Sequence, residues 1–224
     1  MESADIGLLL VGGEGPGDRL VKDLKVELDA VDFVIAADSG FDLAQRLKVE
    51  PDLLVGDLDS VSRSVAFKNF PTERIKSYNA DKDETDTEIG LRIFAEMGCR
   101  RVMLFGGGGG RLDHLLGIVS LFERDFYPYV WYTAREHVQL VEGTMAFGPW
   151  SGQTVSFFPL GNGVEVLLSK GLKWPLDGLS WKKGDVGISN VIVHDRAMIT
   201  ISKGRLLMIR TLPYTVLPME YEHG

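Results

Sequence analysis

The segment Pro51-Asp52-Leu53-Leu54-Val55-Gly56-Asp57-Leu58-Asp59-Ser60 ends an apolar run in glycine and then sets two carboxylates, Asp57 and Asp59, at i and i+2. On an extended backbone, side chains two apart share a face, so the two charges would repel unless a cation lay between them. Hard oxygen donors at a strand end suit Mg2+ or Mn2+, ions that usually accompany a substrate phosphate. The same letters also suit an Asp-rich turn in which Asp59-Ser60 caps the next helix.

A second acidic segment, Asn79-Ala80-Asp81-Lys82-Asp83-Glu84-Thr85-Asp86, stands just before an amphipathic stretch. Thr85 and Glu88 have the spacing of a capping box, and Asp86 would complement the helix dipole, a purely structural account. Lys82 among three aspartates adds another possibility, a cation placed to touch a polyphosphate whose metal the acids hold. The third segment is Phe105, five glycines (106–110), then Arg111-Leu112-Asp113-His114. Glycines let backbone N–H groups and a helix N-terminus approach an anion, and Arg111 supplies a fork for phosphate oxygens. A flexible loop with Asp113 as a dipole-matched helix residue is the competing account.

Other candidates are weaker. The cluster Gly12-Gly13-Glu14-Gly15-Pro16-Gly17 is G-x-G-x-G, and the chain contains neither G-x-G-x-x-G nor a Walker A pattern. Asp38, in Ala37-Asp38-Ser39-Gly40, suits a ribose contact, a metal-bound water or a plain turn. His137, His194 and His223 are unclustered and read as surface or packing residues, while Trp150, Trp174 and Trp181 read as packing. In combination, the carboxylate-bearing strand ends, the glycine loop and the arginine describe a metal-dependent site for a nucleotide polyphosphate.

Such a site needs elements to position it. Runs 6–11, 32–37, 52–56 and 101–105 read as buried strands, with 127–133 as a further candidate. Stretches 18–28, 41–48, 85–97 and 112–124 read as helices. This alternation predicts an α/β N-terminal domain with a mostly parallel sheet, whose strand C-termini gather ligands. After about residue 137, short β-rich runs (154–158, 164–168, 191–193, 197–201, 205–210) alternate with turn residues, predicting an all-β C-terminal sandwich. The expected domains are 1–136 and 137–224.

The whole chain limits the classes of function. Its 224 residues carry 24 Lys plus Arg against 32 Asp plus Glu, a net charge of -8 that repels nucleic acid. A lone cysteine, Cys99, leaves no intrachain disulfide or thiolate zinc cluster. The first residues lack the basic start of a signal peptide, and no run reaches the roughly 18 apolar residues of a membrane span. These features predict a cytoplasmic protein with no nucleic-acid or membrane partner.

The motifs together resemble the thiamine pyrophosphokinase family. The likeness rests on the Asp38 turn, Pro51-Asp52 leading to Gly56-Asp57-Leu58-Asp59-Ser60, Lys82-Asp83-x-Thr85-Asp86, Gly110-Arg111-Leu112-Asp113-His114, Gly171-Leu172-Lys173-Trp174-Pro175-Leu176 and Ile188-Ser189-Asn190. The resemblance implies Mg2+-dependent transfer of diphosphate from ATP to the thiamine hydroxyl, releasing AMP. It implies Asp57, Asp59 and Asp86 as metal ligands that act with Arg111 in catalysis. It further implies Asp38, Lys82, Asp83, Thr85 and Arg111 at the nucleotide, Asp113, Ser189 and Asn190 at thiamine, and a homodimer with sites shared between subunits. This chain has Ser39 where the family usually has glycine, and Ile118 where it usually has asparagine. Two alternatives fit the same acidic strand end: a nucleotide-sugar transferase using Mg2+ or Mn2+, and a catalytically silent thiamine or nucleotide sensor.

Overall fold

The computed structural model describes residues 4–59, 65–79, 81 and 83–213. The chain divides into two compact units, Met1–Ala134 and Arg135–Gly224.

In the first unit, β1 (Ile6–Val11), β2 (Phe33–Ala37), β3 (Leu53–Gly56), β4 (Ile75–Ser77), β5 (Arg101–Phe105) and β6 (Val130–Tyr132) alternate with helices. The helices are α1 (Asp18–Asp23), α2 (Lys25–Asp29), α3 (Gly40–Leu47), α4 (Val65–Lys68), α5 (Asp86–Glu96) and α6 (Leu112–Leu121). The strands stand in the order β6-β5-β1-β2-β3-β4, and every pairing is parallel. Parallel strands are covered on both faces, which explains unbroken apolar runs in place of alternation. Leu8, Leu9, Leu10, Val102, Leu104 and Phe105 are accordingly buried. At Gly7 a Cβ would lie 2.3 Å from the Phe94 ring, so the missing side chain lets α5 press onto β1. The chain lays β2, β3 and β4 on one side of β1 and then β5 and β6 on the other. The order therefore reverses between β1 and β5, where open α/β sheets leave a crevice at their carboxyl edge.

Some elements differ from expectation. The helix predicted over 18–28 is two short helices meeting at Leu24. Leu20 and Leu24 are buried but α2 buries nothing and Val26 is 80% exposed, so no packing holds the second piece in line with the first. The predicted strand 127–133 is only Val130–Tyr132, and the short edge strand β4 was not anticipated.

The second unit is entirely β: β7 (Glu136–Val141), β8 (Thr144–Phe147), β9 (Thr154–Pro159), β10 (Val164–Lys170), β11 (Ser180–Trp181), β12 (Gly187–Val191), β13 (Ala197–Lys203) and β14 (Leu206–Thr211). The runs β12-β9-β14-β7 and β11-β10-β13-β8 are antiparallel throughout. Their inward residues, including Val155, Phe157, Met208, Val166 and Ile199, form one core, which is the sandwich arrangement. The strand expected at 191–193 is instead Gly187–Val191, with residues beyond Val191 joined to the Gly171–Lys173 segment.

Trp150 and Trp181 pack against this core as expected, but Trp174 is 52% exposed and Lys173 Nζ stands 4.5 Å from its ring centroid. His137 is a packing residue, 3% exposed. Its Nδ1 accepts from Arg210 Nε at 3.4 Å, and the buried Arg210 guanidinium lies 4.0 Å over the Trp150 ring. Among the described residues, no helix is long and apolar enough to cross a membrane.

Candidate active site

The carboxyl end of β3 is not extended past Gly56. Gly56 has φ +138 and Leu58 has φ +64, in the left-handed region. Leu58 is buried, and the Asp59 N–H donates to Asp57 Oδ1 at 3.2 Å. The expected same-face display of Asp57 and Asp59 along a strand is therefore replaced by a tight turn. The buried Leu58 side chain accompanies a left-handed residue between the two acids, so the backbone there is not extended.

The turn brings in neighbours that sequence distance hides. Asp38, itself at φ +45 after β2, donates its N–H to Val55 O at 2.8 Å. A Cβ built on Gly56 would lie 3.2 Å from Asp86 Oδ1 and 3.3 Å from Asp38 Cβ. Asp38, Gly56-Asp57 and Asp86 thus meet at one carboxyl edge, supplied by β2, β3 and the first turn of α5. Their donors are all carboxylate oxygens, the set that suits a hard divalent cation. Among the described residues, no three His, Cys, Asp or Glu side chains are grouped closely enough to hold a metal ion. Asp57, Asp59 and Asp86 therefore form no closed triad there.

The entrance to α5 is fixed by the capping box. Thr85 Oγ1 accepts from the Glu88 N–H at 3.3 Å, and the Thr85 N–H donates to Glu88 Oε2 at 2.7 Å. Partial burial pushes the Glu88 carboxyl up, but the bonds to Thr85 and the Arg124 guanidinium outweigh it and hold the group below its usual value. The Thr85 hydroxyl is thus engaged in positioning Asp86. Asp83 is exposed beside it. Lys82 and Ser60 lie outside the described residues.

The glycine loop behaves differently from the expected anion cradle. The amides of Gly106, Gly107 and Gly108 donate to Tyr132 O (3.1 Å), Gly12 O (2.7 Å) and Glu14 O (3.0 Å). Three of the five N–H groups are therefore engaged, two in joining the turns after β1 and β5 and one in tying the loop to β6. Gly106 is required by close approach, since a Cβ there would stand 2.1 Å from Val11 O. Ile118 is buried, its Cδ1 2.2 Å from the Cβ position of Gly107, and so fills space beneath the loop.

Arg111 forks onto Asp113, with Nε and Nη2 to carboxylate oxygens at 3.1 and 2.6 Å, and both side chains are exposed. The guanidinium holds the Asp113 carboxyl below its usual value, with a smaller contribution from the His114 N–H.

In the second unit, Ser189 is exposed at φ +61, within a bulge where the β12–β9 register shifts between Gly187 and Asn190. Its N–H donates to Ser156 Oγ at 3.1 Å. Asn190 is only 4% exposed. Its Oδ1 accepts from the N–H groups of Trp174 (3.2 Å) and Val191 (2.8 Å), and its Nδ2 donates to Trp174 O at 2.7 Å. The buried Asn190 amide thus braces the Trp174 main chain.

A model of the thiamin pyrophosphokinase catalytic domain matches residues 24–128, and one of the thiamin pyrophosphokinase vitamin B1 binding domain matches residues 140–206, together more than half of the chain. The chain belongs to the thiamine pyrophosphokinase family. It is similar to thiamine pyrophosphokinase from Bacillus subtilis (strain 168), 27% identical over 212 residues that cover 88% of this chain and 95% of that one. Among solved structures, a thiamine pyrophosphokinase from Bacillus subtilis superposes with a TM-score of 0.75 at 25% identity, covering 92% of this chain and 98% of that one. A thiamin pyrophosphokinase from Geobacillus thermodenitrificans gives 0.72 at 28% identity, covering 95% and 100%.

Within the thiamine pyrophosphokinase match, the catalytic-domain span takes in Asp38, Asp57, Asp59, Asp86, Arg111 and Asp113, while the vitamin B1 binding span takes in Ser189 and Asn190. These likenesses favour neither the nucleotide-sugar transferase nor the silent sensor. Two contributors escaped the sequence reading. Ser156 carries no motif and is joined to Ser189 only by cross-strand pairing, whereas Glu14 was visible within a glycine cluster but had no signal linking it to Gly108.

Proposed function

We propose that this protein transfers a diphosphate group from ATP to the hydroxyl of thiamine, giving thiamine diphosphate and AMP. The observation that carries the reading is the convergence of Asp38, Gly56-Asp57 and Asp86 at one carboxyl edge of a thiamine pyrophosphokinase catalytic unit. Asp57, Asp59 and Asp86 would hold Mg2+, which when bound neutralises charge on the transferring diphosphate. Asp38, Asp83 and Thr85 take the nucleotide side, Thr85 by fixing the first turn of α5. Arg111 and Lys82 draw the phosphates into line, and Arg111 exchanges its Asp113 partner for phosphate oxygens. Released from that pair, Asp113 faces the cationic acceptor together with Ser189, and Asn190 supports them by holding the Trp174 segment.

The thiamine hydroxyl then attacks the β-phosphorus in line as AMP departs, so positioning and charge neutralisation supply most of the catalysis. We infer a homodimer in which Ser189 of one subunit serves the site of the other, working in the cytoplasm. Incubation with ATP, thiamine and Mg2+ tests the reading. Thiamine diphosphate should accumulate and EDTA should stop it, whereas no product in the presence of all three would contradict it.

A further inference from the structure

We propose that Arg92 and Arg124 are positioning residues for diphosphate transfer, each holding one of the two glutamates that flank Asp86, so that the first turn of α5 stays against the end of β3. This inference rests on the diphosphate-transfer reading and concerns two arginines that lie outside the motifs. The stretch Glu84-Thr85-Asp86-Thr87-Glu88 carries a carboxylate at every second residue. Asp86, the middle one, is the acid that meets Gly56.

Both flanking acids are tied to cations. The Arg92 Nε–H, from α5, is shared between Glu84 Oε1 and Oε2, each at 3.1 Å, and Arg92 Nη1 donates to Glu96 Oε1 at 2.8 Å. Arg92 therefore links the residue before the cap of α5 to the last residue of the helix. Arg124 stands on the turn that closes α6, its N–H donating to Leu121 O at 3.1 Å. Its guanidinium donates to Glu88 Oε1, while Glu88 Oε2 accepts from the Thr85 N–H. One carboxylate thus joins the cap of α5 to the end of α6. The acidic segment is also fixed at its start, where the Tyr78 N–H donates to Gly56 O at 2.9 Å.

These pairs act through direction more than through strength. The side chains of Arg92, Glu84 and Arg124 are 37%, 40% and 48% exposed, and ion pairs so exposed add little to stability. A planar guanidinium nevertheless fixes the orientation of the carboxylate it holds, which a flexible ammonium does less well. Three carboxylates this close would repel one another and compete for one cation. The arginines engage Glu84 and Glu88, so the acid presented at the Gly56 edge is Asp86. A misplacement of about 1 Å at such a group can cost about a hundredfold in rate.

Steady-state kinetics with ATP, thiamine and Mg2+ test this on the full-length parent, Arg92→Met, Arg124→Met, Arg124→Lys and Glu88→Gln. Urea unfolding is followed in parallel, as is Mn2+ binding without nucleotide, read from the paramagnetic resonance of free Mn2+. Glutamine at 88 can still accept from the Thr85 N–H, so Glu88→Gln keeps the cap and loses the anion that Arg124 holds. In Arg92→Met, Arg124→Met and Glu88→Gln, kcat should fall about tenfold with the KM for thiamine unchanged, and Arg124→Lys should recover part of the loss. Combining Arg124→Met with Glu88→Gln should cost no more than either alone, since both remove one contact. Mn2+ should bind about fivefold more weakly to both methionine variants as Asp86 shifts, whereas lost positive charge acting only through its field would tighten binding. Unchanged kcat in both methionine variants, tighter Mn2+ binding, or losses that follow urea stability with no recovery by lysine would overturn the positioning role. A parent that makes no thiamine diphosphate would overturn the functional reading and this role with it, whereas an active parent whose methionine variants keep its kcat overturns the role alone.

Discussion

The carboxylate of Asp86 stands 3.2 Å from the point at which a side chain on Gly56 would begin. Glycine at 56 is thus the condition for α5 to bring Asp86 against the end of β3. Gly56→Ala adds an atom at that crowded point and places alanine at φ +138, a conformation that costs on the order of 1–3 kcal/mol. Urea unfolding should show a loss of that size, and turnover should fall more than tenfold as Asp86 is displaced.

Asp59 is exposed and contributes little to the core. Asp59→Asn should therefore leave circular dichroism unchanged yet reduce AMP release at least a hundredfold, because the charge that holds the cation is removed. An active, folded Asp59→Asn protein would contradict its role as a metal ligand.

Ser189 pays for its position in backbone strain, being a non-glycine residue at φ +61. Ser189→Gly relieves that strain and removes the hydroxyl. Stability should be unchanged or rise by up to about 1 kcal/mol, while the KM for thiamine rises about tenfold. Parallel thermal melts and initial rates read these two changes separately.

His137 is buried beside Arg210, and burial first, then the guanidinium, pushes its imidazole down to about 3. In the unfolded chain it regains the usual value near 6.5. Above that pH neither state carries the proton. As pH falls below it the unfolded state alone gains one, so the folded state loses up to about 1.4 kcal/mol per pH unit until the folded value is reached. Urea unfolding between pH 7.5 and 5.5 should show this slope, and His137→Gln should flatten it.

The layers of the fold were legible because parallel strands buried on both faces, such as Ile6–Val11 and Arg101–Phe105, read as unbroken apolar runs. The capping box of Thr85 and Glu88 was legible for the same local reason, its partners standing three residues apart. What was hidden depended on distant chain. The left-handed turn at Leu58, whose side chain is buried, is not encoded in the acidic spacing. The bulge that displays Ser189 depends on pairing with β9, and the engagement of Asn190 on how the Trp174 segment returns to β12. The glycine loop was found by its composition, but the partners of its amides lie after β1 and on β6, so its stitching role was not visible.

The most direct test follows the phosphorus atoms. With ATP labelled at the β-phosphorus, thiamine and Mg2+, the label should appear in thiamine diphosphate in one-to-one proportion with unlabelled AMP, since attack at that atom moves both terminal phosphates together. Recovery of the label in ADP, with only a single phosphate on thiamine, would contradict diphosphate transfer.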